Sequence, residues 1–307
     1  MTVVPSGSGP SHFTSYQAGI GPGVRRHAGK GLESNSAARN GRSWKIIDMR
    51  LFKYFGFSSA NVMMFMLGVV FFSSLVMMPQ YLQTLLGYTA LNSGLVLSAS
   101  GVLLLFEMPI VGQLTTKIPA KYLVGLGWLL LAVSMFYSTV RLDLQMSFGA
   151  AMWLRVAQSS GLGFLFVPIS LIAYEGVPPE QGNSVSGMIN FMRNIGSGVG
   201  TSLVTTLLAR RSQFHQSVLA QHTTGSDPAL QMQVNGLAGQ LVHGGISPAD
   251  APNHAYGLIY QSMQGQAQTL AYIDTYMLLA AAACVMLLLA FLVRRNEPGG
   301  GGELAVG

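Results

Sequence analysis

Apolar residues along this chain gather into six long runs, at 57–79, 93–116, 120–140, 148–175, 184–209 and 271–293. A bilayer core about 30 Å thick is crossed by ~20 apolar helical residues. Backbone groups in lipid must hydrogen-bond within their own segment, so the runs predict helices. The fold class expected is an all-α integral membrane protein with a six-transmembrane-helix bundle. Within or bordering the runs lie Glu107, Arg155, Arg193 and Asp274. A charge at such depth costs at least ~2.5 kcal/mol and is usually kept for a pathway or a partner. Movement of something across the bilayer is therefore the function class expected.

Between the runs the chain divides by composition. Residues 1–43 are rich in Gly, Ser and Arg, lack hydrophobic periodicity and predict a disordered tail. They contain no apolar core of a secretory signal. Gly29-Lys30 is no phosphate loop, because that motif requires Gly at 24 and Ser or Thr at 31, where Val24 and Gly31 stand. In 44–56, Lys45, Arg50 and Lys53 alternate with Ile46, Ile47, Leu51 and Phe52. This reads as a juxtamembrane amphipathic segment on the cytoplasmic surface, or as a basic lead-in to the first span. Spans one to five occupy 57–209. A connection rich in Gln, Ser, Gly and Ala follows over 210–270, where 212–221 and 229–243 suit short amphipathic helices. The sixth span is 271–293 and a tail is 294–307.

Charge fixes the orientation. If six spans alternate, Lys45, Arg50, Lys53, Lys117, Lys121, Arg294 and Arg295 fall on one side, and only Arg141, Arg210 and Arg211 on the other. The positive-inside rule places both termini in the cytoplasm and makes 210–270 an extracytoplasmic loop. Charged residues are 9% of the chain, against roughly 25% in soluble domains, so a soluble fold would lack polar cover. The net charge of +6 is spread over span ends and tail without stacking motifs, which argues against nucleic acid.

The single cysteine, Cys284, excludes an internal disulfide and a multi-cysteine metal site. His215, His222, His243 and His254 share the 210–270 connection at irregular spacings, so they read as exposed polar positions and not as metal ligands. No metal or cofactor is expected. Ser98-Ala99-Ser100-Gly101 loosely suits an intramembrane serine protease, but that chemistry needs a histidine base within the membrane. All six histidines lie outside the runs, and an enzyme is not expected.

Glu107 stands two residues before the helix-breaking Pro109, ~12–15 Å from the cytoplasmic end of its span. It suits carriage of a proton or pairing with a cationic substrate; the bland alternative is a hydrogen bond to a neighbouring helix. Arg193, flanked by Asn190, lies at a similar depth, which is compatible with a Glu107–Arg193 ion pair. Arg155, with Gln158 one turn on, lines a polar cavity or snorkels outwards. Gly161, Gly163 and Pro168 mark the fourth span. Gly196-x-x-x-Gly200 in the fifth permits close helix approach.

The ordered motifs resemble one family. Pro79-Gln80-Tyr81-Leu82-Gln83, Gly87-Tyr88-Thr89-Ala90, Ser93-Gly94-Leu95 and Pro109-Ile110-Val111-Gly112 are followed by Gly161-x-Gly163 to Pro168 and Pro178-Pro179-Glu180. Asn190-Phe191-x-Arg193, Gly200-Thr201-Ser202 and Ser212-x-Phe214-His215 continue the match. The run, over about 46–296, resembles the second half of the EmrB/QacA branch of the major facilitator superfamily, the fourteen-span drug:proton antiporters. The resemblance implies the C-terminal bundle of the major facilitator fold and proton-coupled efflux of drugs or toxic hydrophobic compounds from a bacterial inner membrane. It also implies gating glycines and prolines, Gly112 and Pro109 among them. Implied partners are an N-terminal half-permease, a periplasmic adaptor and an outer-membrane channel. Where the family-like loop often has an acid, this chain has Thr116, so a charge latch is not expected. A truncated or split half-transporter is the reading; a stand-alone six-span binding or scaffolding protein is the alternative.

Overall fold

The computed structural model of the chain describes residues 49–221 and 228–291. The tail 1–43, residues 44–48 of the juxtamembrane segment and the tail 294–307 lie outside them. Among the described residues, beside the short 3-10 helices Met49–Lys53 and Pro179–Gln181, there are seven long helices: α1 Phe55–Thr84, α2 Ala90–Leu114, α3 Ala120–Arg141, α4 Phe148–Tyr174, α5 Gly182–Gln221, α6 Pro228–His243 and α7 Ala251–Ala290. Thr89 and Ser147 begin α2 and α4 by accepting the N–H groups of Asn92 and Ala150, as N-cap hydroxyls do.

Helices α1, α2, α3, α4 and α7 are long and apolar enough to cross a membrane. α5 contains the fifth expected span, 184–209, but its composition falls short of that standard. The reason is visible along it: Asn183, Asn190, Arg193 and Asn194 interrupt the apolar residues. Its buried stripe is Val185, Met188, Ile189, Gly196, Gly200, Val204 and Leu208, one side of a helix. That stripe packs on α1 and α7. α3 packs on α4 and α7, and α2 on α4 and the end of α1. Phe57, Met64, Leu67, Met77, Trp128, Met135, Leu165 and Tyr276 fill the shared core.

Two departures from regular helix and one from expectation shape the bundle. α1 contains a π-helical segment, Gly68–Phe72. There α1 meets α5 backbone to backbone: a Cβ on Gly196 would strike the Phe65 carbonyl, and one on Gly200 would lie 2.7 Å from Val69 Cα. α4 is broken between halves Phe148–Ser159 and Leu162–Tyr174. A Cβ on Gly161 would lie 2.5 Å from the Gly127 carbonyl of α3. Gly112, in contrast, has open space around it, so in this conformation it serves no close approach.

The third departure concerns 210–270, expected to be a loop with short helices. α5 runs unbroken to Gln221, and α7 begins at Ala251. At ~1.5 Å per residue each 40-residue helix is about 60 Å long, twice the bilayer core. Leu230 and Val234 of α6 bury against Ala255 of α7, and the Gln216 amide donates to the Tyr260 hydroxyl at 2.8 Å. Gln- and Ser-rich composition here marks solvated helix faces.

Candidate functional site

Polar groups inside the bundle fall into three places. The first is around Arg155, in the N-terminal half of α4. It neither snorkels nor reaches solvent: its relative exposure is 0%. Its Nη1 donates to Gln158 Oε1 at 3.0 Å and, less closely, to Ser74 Oγ at 3.4 Å. Gln158 Nε2 donates to Ser138 Oγ at 2.9 Å, and the guanidinium carbon lies 5.0 Å from the Phe71 ring centroid. Tyr276 of α7 is fully buried beside this group. The i, i+3 spacing of Arg155 and Gln158 puts both on one helix face, and that relation was readable in sequence. Ser74 and Phe71 of α1, Ser138 of α3 and Tyr276 of α7 were not, because they reach Arg155 from three other helices.

The second place is the break in α4. Glu107 of α2 is buried; its Oε1 accepts the Gly163 N–H at 3.2 Å, while its Oε2 has no hydrogen-bond partner. Breaking α4 leaves the first N–H groups of the half Leu162–Tyr174 without intrahelical acceptors. A carboxylate there meets both the unbonded N–H groups and the positive end of the helix dipole. Gly163 is required for this approach, since a Cβ would lie 2.8 Å from Glu107 Cδ. Pro168 is buried one and a half turns further on, while Pro109 is exposed on α2.

Glu107 and Arg193 do not pair: both ion pairs among the described residues end on Asp274. α2 packs on α4, whereas Arg193 faces α1 and α4, its guanidinium 5.8 Å from Phe72 and 5.3 Å from Phe166 ring centroids. Equal depth in two helices does not bring them together. Neighbouring rings of α1 face different arginines, Phe71 facing Arg155 and Phe72 facing Arg193. Asn190 is exposed and donates to the Ser186 carbonyl of its own helix.

The third place was half legible in sequence, which singled out Asp274 but not its partners. His215 Nε2 lies 2.8 Å from Asp274 Oδ2, and Arg211 Nε lies 3.7 Å from the same oxygen. His215, expected to be an exposed loop residue, is on α5, a helix that continues past 209. The signal was present in the chain: 204, 208, 211 and 215 keep helical spacing beyond the apolar run. Adjacent to this cluster, a cavity of about 280 Å³ opens among α1, α5 and α7, lined by Gln80, Thr84, Thr205, Ser212, Gln268 and Tyr272 among others. No group of three or more His, Cys, Asp or Glu side chains suited to a metal occurs among the described residues.

Comparison with known proteins agrees with this architecture. Residues 21–201 match the Major Facilitator Superfamily. The chain is 29% identical over 233 residues to the uncharacterized MFS-type transporter YhcA of Bacillus subtilis, covering 76% of this chain and 44% of that protein. It is 29% identical over 194 residues to the multidrug export protein EmrB of Escherichia coli K12, covering 63% and 38%. With the fatty acid resistance protein FarB of Neisseria gonorrhoeae the identity is 30% over 205 residues, covering 67% and 40%. The chain thus spans about two fifths of the length of the curated relatives it matches. By sequence match and by its bundle of apolar helices, this multi-pass membrane protein belongs to the Major Facilitator Superfamily and is similar to EmrB-type permeases.

Proposed function

We propose that the chain forms the C-terminal bundle of a proton-coupled exporter of drugs or other hydrophobic compounds in a bacterial cytoplasmic membrane. The observation that carries this reading is the pairing of Glu107 with the Gly163 N–H at the break in α4, within a chain similar to proteins named for multidrug export. A carboxyl buried against a broken transmembrane helix changes its hold on that helix when it takes or loses a proton. Protonation removes the charge that faces the helix N-terminus, so the second half of α4 is released from α2. Pro168 and the glycines at 161 and 163 let that half move.

Alternating access in this kind of transporter rocks one bundle against another around a central site. Export therefore uses a second, N-terminal bundle, supplied by the remainder of a longer polypeptide or by a separate chain. A periplasmic adaptor and an outer-membrane channel are the further partners proposed. Both termini lie in the cytoplasm, following the distribution of Lys and Arg, and the outer halves of α5 and α7 with α6 stand on the far side. Expression with an N-terminal half of an EmrB-type permease in a pump-deficient host tests the reading. Minimum inhibitory concentrations of hydrophobic drugs should rise for the pair and fall back with Glu107→Gln. No rise for a pair shown to be folded and co-assembled would favour a binding or scaffolding role.

A further inference from the structure

Arg155 carries a feature that its packing does not absorb. Of its guanidinium nitrogens, Nη1 is engaged by Gln158 and Ser74, while Nε and Nη2 are buried without a hydrogen-bond partner. Those two nitrogens share one edge of the planar group, the edge that presents two parallel N–H bonds to an anion. The Tyr276 hydroxyl, buried beside it, also lacks a well-formed hydrogen bond. Arginine keeps its charge in proteins, and both ion pairs among the described residues end on Asp274. The Phe71 face and the Gln158 and Ser74 oxygens are partial compensation for a cation taken wholly out of water; isolated buried charge is strongly unfavourable.

We propose that Arg155 is an anion-binding residue, whose Nε–Nη2 edge, with the Tyr276 hydroxyl, holds a small anion accepting two parallel N–H bonds. The chemistry fits a halide or a carboxylate group. Arg155 is at 0% exposure among α1, α3, α4 and α7, so the proposal is confined to a small anionic group. It comes either from solution as a free ion or as the head of an amphiphilic carboxylate entering between helices. The anion converts an uncompensated cation into a neutral cluster that ties α4 to α7. Anion binding is separate from export, and either can fail alone.

Thermal unfolding of the full chain in a neutral maltoside detergent, followed by tryptophan fluorescence, tests this. Sodium chloride, formate and octanoate (kept below its micelle concentration) are each compared with gluconate at equal ionic strength, gluconate being too bulky for the enclosed edge. Chloride or formate should raise the wild-type Tm by roughly 2–4 °C. A rise with octanoate alone would assign the anion to an amphiphile head. Arg155→Met should abolish the response. Arg155→Lys keeps charge but loses the fork and should lose most of it. The same wild-type Tm in all four salts would overturn the proposal and leave the edge to water. So would an undiminished shift in Arg155→Lys, which decides the matter even if Arg155→Met fails to fold.

Discussion

The Glu107 carboxylate and the Gly163 N–H, 56 residues apart in sequence, meet at 3.2 Å where α4 is broken. Sequence reading left Glu107 between two roles, a proton site and a hydrogen bond to a neighbouring helix. The geometry shows the hydrogen bond, made to a helix end whose exposed N–H groups favour negative charge; carriage of a proton belongs to the function proposed above.

Removal of the carboxyl separates stability from transport. Glu107→Leu leaves buried N–H groups at the α4 break unpaired and should destabilise the bundle by about 1–3 kcal/mol. Glu107→Gln keeps a carbonyl oxygen for the Gly163 N–H, so folded yield in fluorescence-detected size-exclusion should stay near wild type while proton-coupled transport falls. A Glu107→Leu protein as stable as wild type would remove the carboxyl from the architecture of the break.

Glycines in α5 give an internal control. A Cβ on Gly196 would strike the Phe65 carbonyl, whereas one on Gly198 would meet nothing within 4 Å. Gly196→Ala should lower Tm and folded yield, and Gly198→Ala should leave both near wild type. Gly196 and Gly200 thus hold α5 to α1 inside this bundle. Equal effects of the two alanine substitutions would contradict the backbone-to-backbone packing.

The His215–Asp274 pair predicts coupling between α5 and α7. With side chains 19% and 33% exposed, a double-mutant cycle of His215→Ala and Asp274→Ala should give a coupling of about 0.5–1 kcal/mol. Arg211, half exposed and 3.7 Å away, should add little. Additive effects of the two alanine substitutions would mean that the 2.8 Å contact does not tie the helices.

Orientation rests on charge distribution and is open to direct labelling. In a Cys284→Ala background, cysteines at Ser217 on α5 and Thr116 between α2 and α3, both exposed, should report from opposite sides of the bilayer. An impermeant thiol reagent on intact cells should label Ser217→Cys and spare Thr116→Cys. The reverse pattern would invert every assignment of inner and outer ends.

What sequence disclosed and what it hid divide along a physical line. Helix positions follow from hydropathy, which is a local property, and five of the six expected spans coincide with helices long and apolar enough to cross a membrane. The family was legible because motifs such as Pro79-Gln80-Tyr81 and Gly161-x-Gly163 occur in order. Helix ends at 209 and 271 were misplaced because hydropathy registers lipid, not helicity, and α5 and α7 continue as helices with solvated faces. The partners of Arg155, Glu107 and Asp274 were hidden for a different reason. Ser74, Gly163 and His215 reach them only once helices have packed at particular rotations, and depth along a span does not supply that.

The central claim, a proton-driven exporter in which this bundle works against a second one, is tested most directly in proteoliposomes. The chain is reconstituted with an N-terminal half of an EmrB-type permease, a pH gradient is imposed, and movement of a fluorescent hydrophobic drug is followed. The account predicts transport that runs with the gradient, collapses with a protonophore, falls with Glu107→Gln, and is absent from vesicles holding this chain alone. Equal transport by this chain alone, or transport by the pair that ignores the gradient, would contradict it.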